Sequence, residues 1–66
     1  MDQGEQRGVV YQGRTIAYRL VRGRRRTLAL TLDPEEGLVA RAPLGASGQQ
    51  VDELVMRKAP WVLGHL

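Results

Sequence analysis

Thr15 to Arg22 alternates along the chain, with Ile16, Tyr18 and Leu20 pointing one way and Ala17, Arg19 and Val21 the other. A period of two with a β-branched start and an aromatic centre predicts a strand. Ahead of it, Val9-Val10-Tyr11 leads into Gln12-Gly13-Arg14, where Gly13 can take the positive φ of a tight hairpin. Residues 1–7 show no apolar periodicity and read as a disordered tail. Gly23 punctuates a second hairpin, whose far arm begins near Arg26. Thr27 to Leu32 again alternates, placing Leu28, Leu30 and Leu32 on the buried side. Leucine is a mediocre strand former, but three at period two outweigh propensity. Asp33-Pro34-Glu35-Glu36-Gly37 is a turn: Pro34 presets φ, Asp33 can accept from the backbone beyond it, and Gly37 suits the exit. A short arm, Leu38 to Ala42, stops at Pro43, which cannot continue a ladder.

The period then changes to 3.6. Ser47-Gly48-Gln49-Gln50 carries a capping-box signature, with Ser47 as N-cap and Gln50 reaching back. Val51, Leu54, Val55, the Lys58 stem and Ala59 fall on one helical side. Asp52 and Glu53 near the start and Arg57 and Lys58 near the end complement the helix dipole. Pro60 ends this helix or opens a second short one, Pro60-Trp61-Val62-Leu63. These elements predict an α+β fold: a small antiparallel β-meander of 3–4 strands, then a C-terminal α-helix packed on one face. Residues 8–66 form a single small domain on this reading.

Composition narrows the function. Sixty-six residues make one domain at most. Such a chain buries only about 60% of its unfolded surface, which leaves little room for a full-sized catalytic cleft. With no cysteine there is neither a disulfide framework nor a thiolate metal site. The longest run free of charge and turn residues, Thr27 to Leu32, is far short of the roughly 18 apolar residues of a membrane span. The polar start lacks an apolar signal-peptide core, so a cytoplasmic location is expected.

Charge is unevenly placed. Residues 7–26 hold seven arginines and no acid, whereas residues 27–66 hold five acids and three bases. Arg22-Gly23-Arg24-Arg25-Arg26 could grip phosphates, each neutralised phosphate releasing counterions. The plainer alternative is a solvated turn whose charges keep a sheet edge from pairing with other chains. Aromatic interleaving for base stacking is absent, since Tyr11, Tyr18 and Trp61 lie elsewhere.

Other chemical templates fail. One histidine, His65, cannot assemble an imidazole metal site, and no H-E-x-x-H occurs. Ser47, the sole serine, is explained by capping. The pairs Glu35/Glu36 and Asp52/Glu53 are adjacent in sequence and point apart, which does not suit acid–base work at one centre. No catalytic or metal-binding residue is assigned.

Gly13-Arg14-Thr15-Ile16-Ala17-Tyr18-Arg19-Leu20-Val21-Arg22, then Arg24-Arg25-Arg26-Thr27-Leu28-Ala29-Leu30, then Val39-Ala40-Arg41-Ala42-Pro43, and finally Lys58-Ala59-Pro60-Trp61-Val62 follow one another at short spacing. In that order they resemble the opening of the YgjP-like metallopeptidase family, described as metal-dependent hydrolases. The resemblance implies a non-catalytic amino-terminal subdomain, inactive alone. Zinc would be held by the catalytic half that follows, where a later H-E-x-x-H helix has its Glu activate a zinc-bound water. It also implies Trp61 and Val62 as residues for interdomain packing against that half. Two rival readings remain: a small basic nucleic-acid-binding module using Arg22, Arg24, Arg25 and Arg26, and a structural or oligomerisation module, a homodimer of the isolated domain.

Overall fold

Tyr11 and Arg14 pair across a two-residue turn in which Gln12 (φ 50°) and Gly13 (φ 77°) both take left-handed backbone. That is the turn whose twist matches the strands it joins, and glycine at its second position adopts it without steric cost. The computed structural model describes residues 4–64. They form β1 (Gly4–Tyr11), β2 (Arg14–Gly23), β3 (Ala29–Asp33), β4 (Gly37–Pro43), α1 (Gly48–Arg57) and α2 (Ala59–Gly64). A four-stranded mixed sheet followed by two helices makes an α+β fold.

Two expectations are corrected. Gly4 to Arg7, read as part of a loose tail, belong to β1 and pair with β2 from Gly4↔Val21 to Arg7↔Tyr18. Directly opposed residues share a sheet face. Glu5 and Arg7 therefore stand on the helix-facing side, where charges take the place of an apolar pattern. Residues 1–3 of that tail, and His65, lie outside the described residues.

The second correction concerns connectivity. The strands run in the order β1-β2-β4-β3, not as a meander. β4 pairs parallel with β2 (Arg19↔Val39 to Gly23↔Pro43) and antiparallel with β3 (Ala29↔Arg41 to Asp33↔Gly37). Residues 24–28 thus cross the end of β4 instead of closing a hairpin at Gly23. The span is two strand spacings, about 10 Å, which five residues cover easily. Burial explains the placement. Leu38, Val39 and Ala40 are all buried, so over that run β4 is buried on both faces, with only Arg41 exposed, and it belongs inside the sheet. No residue of β3 is fully buried, as suits an edge.

The core lies between one sheet face and the helices. Val9, Ile16, Tyr18, Leu20, Leu38, Ala40 and Ala42 meet Val51, Val55, Ala59 and Val62. Each fully buried large aliphatic side chain contributes about 1.5–3 kcal/mol. Leu30 and Leu32 pack against this cluster only in part, and Leu28 is exposed, because their strand is the outermost.

The helix start follows the expected chemistry. Ser47 Oγ accepts from Gln50 N at 3.1 Å, and Ser47 N donates to Gln50 Oε1 at 3.0 Å. Pro60 does not end the helical layer: Ala59 opens α2 with Pro60 in its first turn, where no donor is needed. No helix among the described residues is long and apolar enough to cross a membrane.

Replacing Ser47 by Ala removes the reciprocal cap and should cost about 1 kcal/mol. In a domain of this size that lowers Tm by roughly 4–8 °C in a thermal melt. An unchanged Tm would mean that the cap does not hold α1.

Candidate functional site

Three features hold most of the chemistry of this chain: a line of alternating charges, an arginine loop and an apolar groove. The first begins at Arg7, placed beside Tyr18 on the helix-facing side by the β1–β2 register. Its guanidinium grips Asp52 of α1 with two bonds, Nε to Oδ1 at 3.0 Å and Nη2 to Oδ2 at 2.8 Å. Such a fork-to-fork pair fixes orientation as well as proximity. Tyr18 donates its hydroxyl to the same Oδ1 at 2.5 Å. Arg7 Nη1 reaches Glu5 Oε2 at 2.7 Å, Arg22 Nη1 reaches Glu5 Oε1 at 3.1 Å, and Arg22 Nε donates to the Ala46 carbonyl at 3.0 Å. The line Asp52–Arg7–Glu5–Arg22–Ala46 thus ties β1 and β2 to α1 and to the loop leading into it. Gly48 makes room for it, since a Cβ there would sit 2.5 Å from Arg7 Cζ.

These contacts set the charge states. Hydrogen bonding by Arg7, helped by Tyr18, holds the Asp52 carboxyl below its usual range, against a smaller opposing effect of burial. Glu5 is held low by its bonds from Arg7 and Arg22. Burial, then the Asp52 carboxylate, pushes the Tyr18 hydroxyl up. Asp52 stays ionised with both oxygens occupied. That is a structural role; a general base needs a pKa near the working pH and an oxygen open to substrate.

The four arginines singled out in the sequence separate into two groups. Arg22 is bound into the charged line. Arg24, Arg25 and Arg26 stand exposed in the crossing loop, where Arg25 N donates to the Gly23 carbonyl at 2.9 Å and Arg25 Nε to the Thr27 carbonyl at 2.9 Å. No ion pair to these three forms among the described residues. At the opposite end of β3, Asp33 Oδ1 accepts from Glu35 N at 2.8 Å and Glu36 N at 2.9 Å, and Glu36 pairs with Arg19. Among the described residues no group of three or more His, Cys, Asp or Glu could hold a metal ion.

The groove opens where the helices leave β3 uncovered. Leu28 and Leu30 form one wall, and Leu54, Lys58 and Trp61 the other, around about 340 Å³. Trp61 is 43% exposed, while Val62 beside it is completely buried in this domain's own core. Of the two residues expected to pack against another domain, Trp61 has surface to offer and Val62 has none. Leu28 lines the groove although its period-two alternation reads as core. Leu28 is exposed because it leads into the edge strand β3, and Leu54 on α1 is half-buried.

No protein-family model, curated protein or solved structure matches this chain. The likeness to YgjP-like proteins therefore rests on the residues quoted for it.

A carboxylate held low in the folded state contributes stability above its unfolded pKa, near about 4, and loses it as pH falls through the lowered folded value. Wild-type Tm should therefore fall more between pH about 5 and about 2 than that of Asp52→Asn, which has no such charge to lose. Equal acid slopes in the two melts would show that the Arg7–Asp52 pair carries no stability.

Proposed function

We propose that this chain is the non-catalytic amino-terminal subdomain of a cytoplasmic, zinc-dependent hydrolase of the YgjP-like metallopeptidase type. The observation that carries the reading is the apolar groove with Trp61 on its lip. Exposed aromatic surface beside leucines is the chemistry of a docking site. The fragments quoted for the resemblance occupy β2, the arginine loop with β3, β4, and the junction of α1 and α2. On this reading the domain supplies support and a binding face, and the zinc site belongs to the catalytic half.

The test has two arms. The purified 66-residue chain should contain far less than one zinc per molecule by elemental analysis. The gene should encode H-E-x-x-H within about one hundred codons after residue 66, on a helix that could bind zinc. Stoichiometric, tightly held zinc in the 66-residue chain, or a stop codon directly after it, would contradict the proposal.

A second reading, contact with polyanions, is favoured by one observation: the three exposed arginines of the crossing loop have no acidic partner among the described residues. Three phosphate contacts give a log K against log salt slope of about −2.7 on duplex DNA. No retention on DNA or RNA at low salt would remove this reading.

A further inference from the structure

The two edges of the sheet are not alike. The β1 edge carries Glu5, Arg7 and two glycines, Gly4 and Gly8. Charges directed toward the core side are a device by which natural edges resist pairing with other chains. The β3 edge has no such guard, because Thr27 to Leu32 is free of charge, proline and glycine. Among the described residues no strand covers its outer side. Every other residue along that side presents an N–H and a C=O outward.

We infer that the β3 edge is covered by β3 of a second copy of this chain, paired antiparallel about a two-fold axis through Leu30. The inference stands apart from the hydrolase reading and concerns the 66-residue chain itself. Such an axis, normal to the sheet, keeps each face continuous and generates an isologous contact. On the helix-facing side Leu30 meets its own symmetry mate and Leu28 meets the second copy's Leu32. On the other side Ala29 meets the second copy's Thr31. No like charges are opposed within the strand.

Charge complementarity at the ends of the seam points to this occupant. The arginine loop enters β3, and the Asp33-Pro34-Glu35-Glu36 turn leaves it. Antiparallel pairing brings the arginines of each copy to the acids of the other. In the register centred on Leu30, the end of β3 that the arginine loop enters, Arg25 within it, lies beside the second copy's Asp33–Gly37 turn, which carries Glu35. The same arrangement repeats at the far end, so one symmetric contact gives the exposed arginines an acidic neighbour in Glu35, while Glu36 keeps its own pair with Arg19. The two grooves, each walled by Leu28, Leu30 and Trp61, join above the seam. A five-residue strand makes a small interface, so the dimer is weak and concentration-dependent.

Sedimentation equilibrium of the full chain at concentrations up to about 1 mM should show the mass rising toward twice 7.4 kDa. Arg25→Glu should weaken the dimer several-fold, because the two-fold repeats each lost pair. Adding Glu35→Arg to the same chain should restore wild-type association. Within one chain these positions sit at opposite ends of β3, so only contact between copies produces the rescue. Hydrogen exchange on the wild type gives a second readout: outward-facing β3 amides should slow as concentration rises. A monomer at about 1 mM, a dimer indifferent to Arg25→Glu, or a double variant no better than the single one overturns the inference. Any of these leaves the hydrolase reading standing, since zinc content and the downstream gene decide that separately.

Discussion

The position of the helical layer depends on one two-bond contact, that between the Arg7 guanidinium and the Asp52 carboxylate. Valines 51 and 55 supply the hydrophobic drive that brings α1 to the sheet, but apolar burial is not directional. The fork-to-fork pair is directional, and it acts at the first turns of the helix, beside the Ser47 cap. Tyr18 steadies Asp52 from below, while Glu5 and Arg22 carry the line on to Ala46 at the helix entry. Residues of β1, β2 and the pre-helix loop are thereby held in one register. Gly48 belongs to this arrangement, because any side chain there would meet the guanidinium.

That same contact decides which side of the molecule is left open. With α1 anchored over β1 and β2, the helices reach β3 only through the rim of the groove. Leu30 and Leu32 stay half-buried, and Leu28 and Trp61 face solvent. The charged edge and the apolar edge are two results of one asymmetry. Where the inner face is closed by ions the sheet ends on charged residues, and where it is closed by leucines its edge is free of charge from Thr27 to Leu32.

Much of this was legible in the sequence where a local rule operates. The alternation in Thr15–Arg22, the Asp33–Gly37 turn and the Ser47–Gln50 capping box each depend on neighbours within a few residues, and each is found in place. The α+β class followed from the change of period. Strand order did not, because it depends on which strand is buried on both faces; the apolar run Leu38-Val39-Ala40 held that clue. Gly4–Arg7 escaped because pattern reading looks for hydrocarbon on an inner face, and here the inner face carries Glu5 and Arg7. The candidate residues divided along the same lines. Arg22 and Arg24 are near neighbours in sequence, but only Arg22 lies on the helix-facing side of a strand, where Glu5 can reach it.

The central claim is that Arg7 and Asp52 act as a unit in fixing the helix on the sheet. A double-mutant cycle with Arg7→Met and Asp52→Ala, read by urea denaturation, tests it directly. The account predicts a coupling energy of about 1 kcal/mol or more, within the range of contacting pairs in one network. A coupling below about 0.3 kcal/mol, at the bottom of the range for exposed ion pairs, would contradict it.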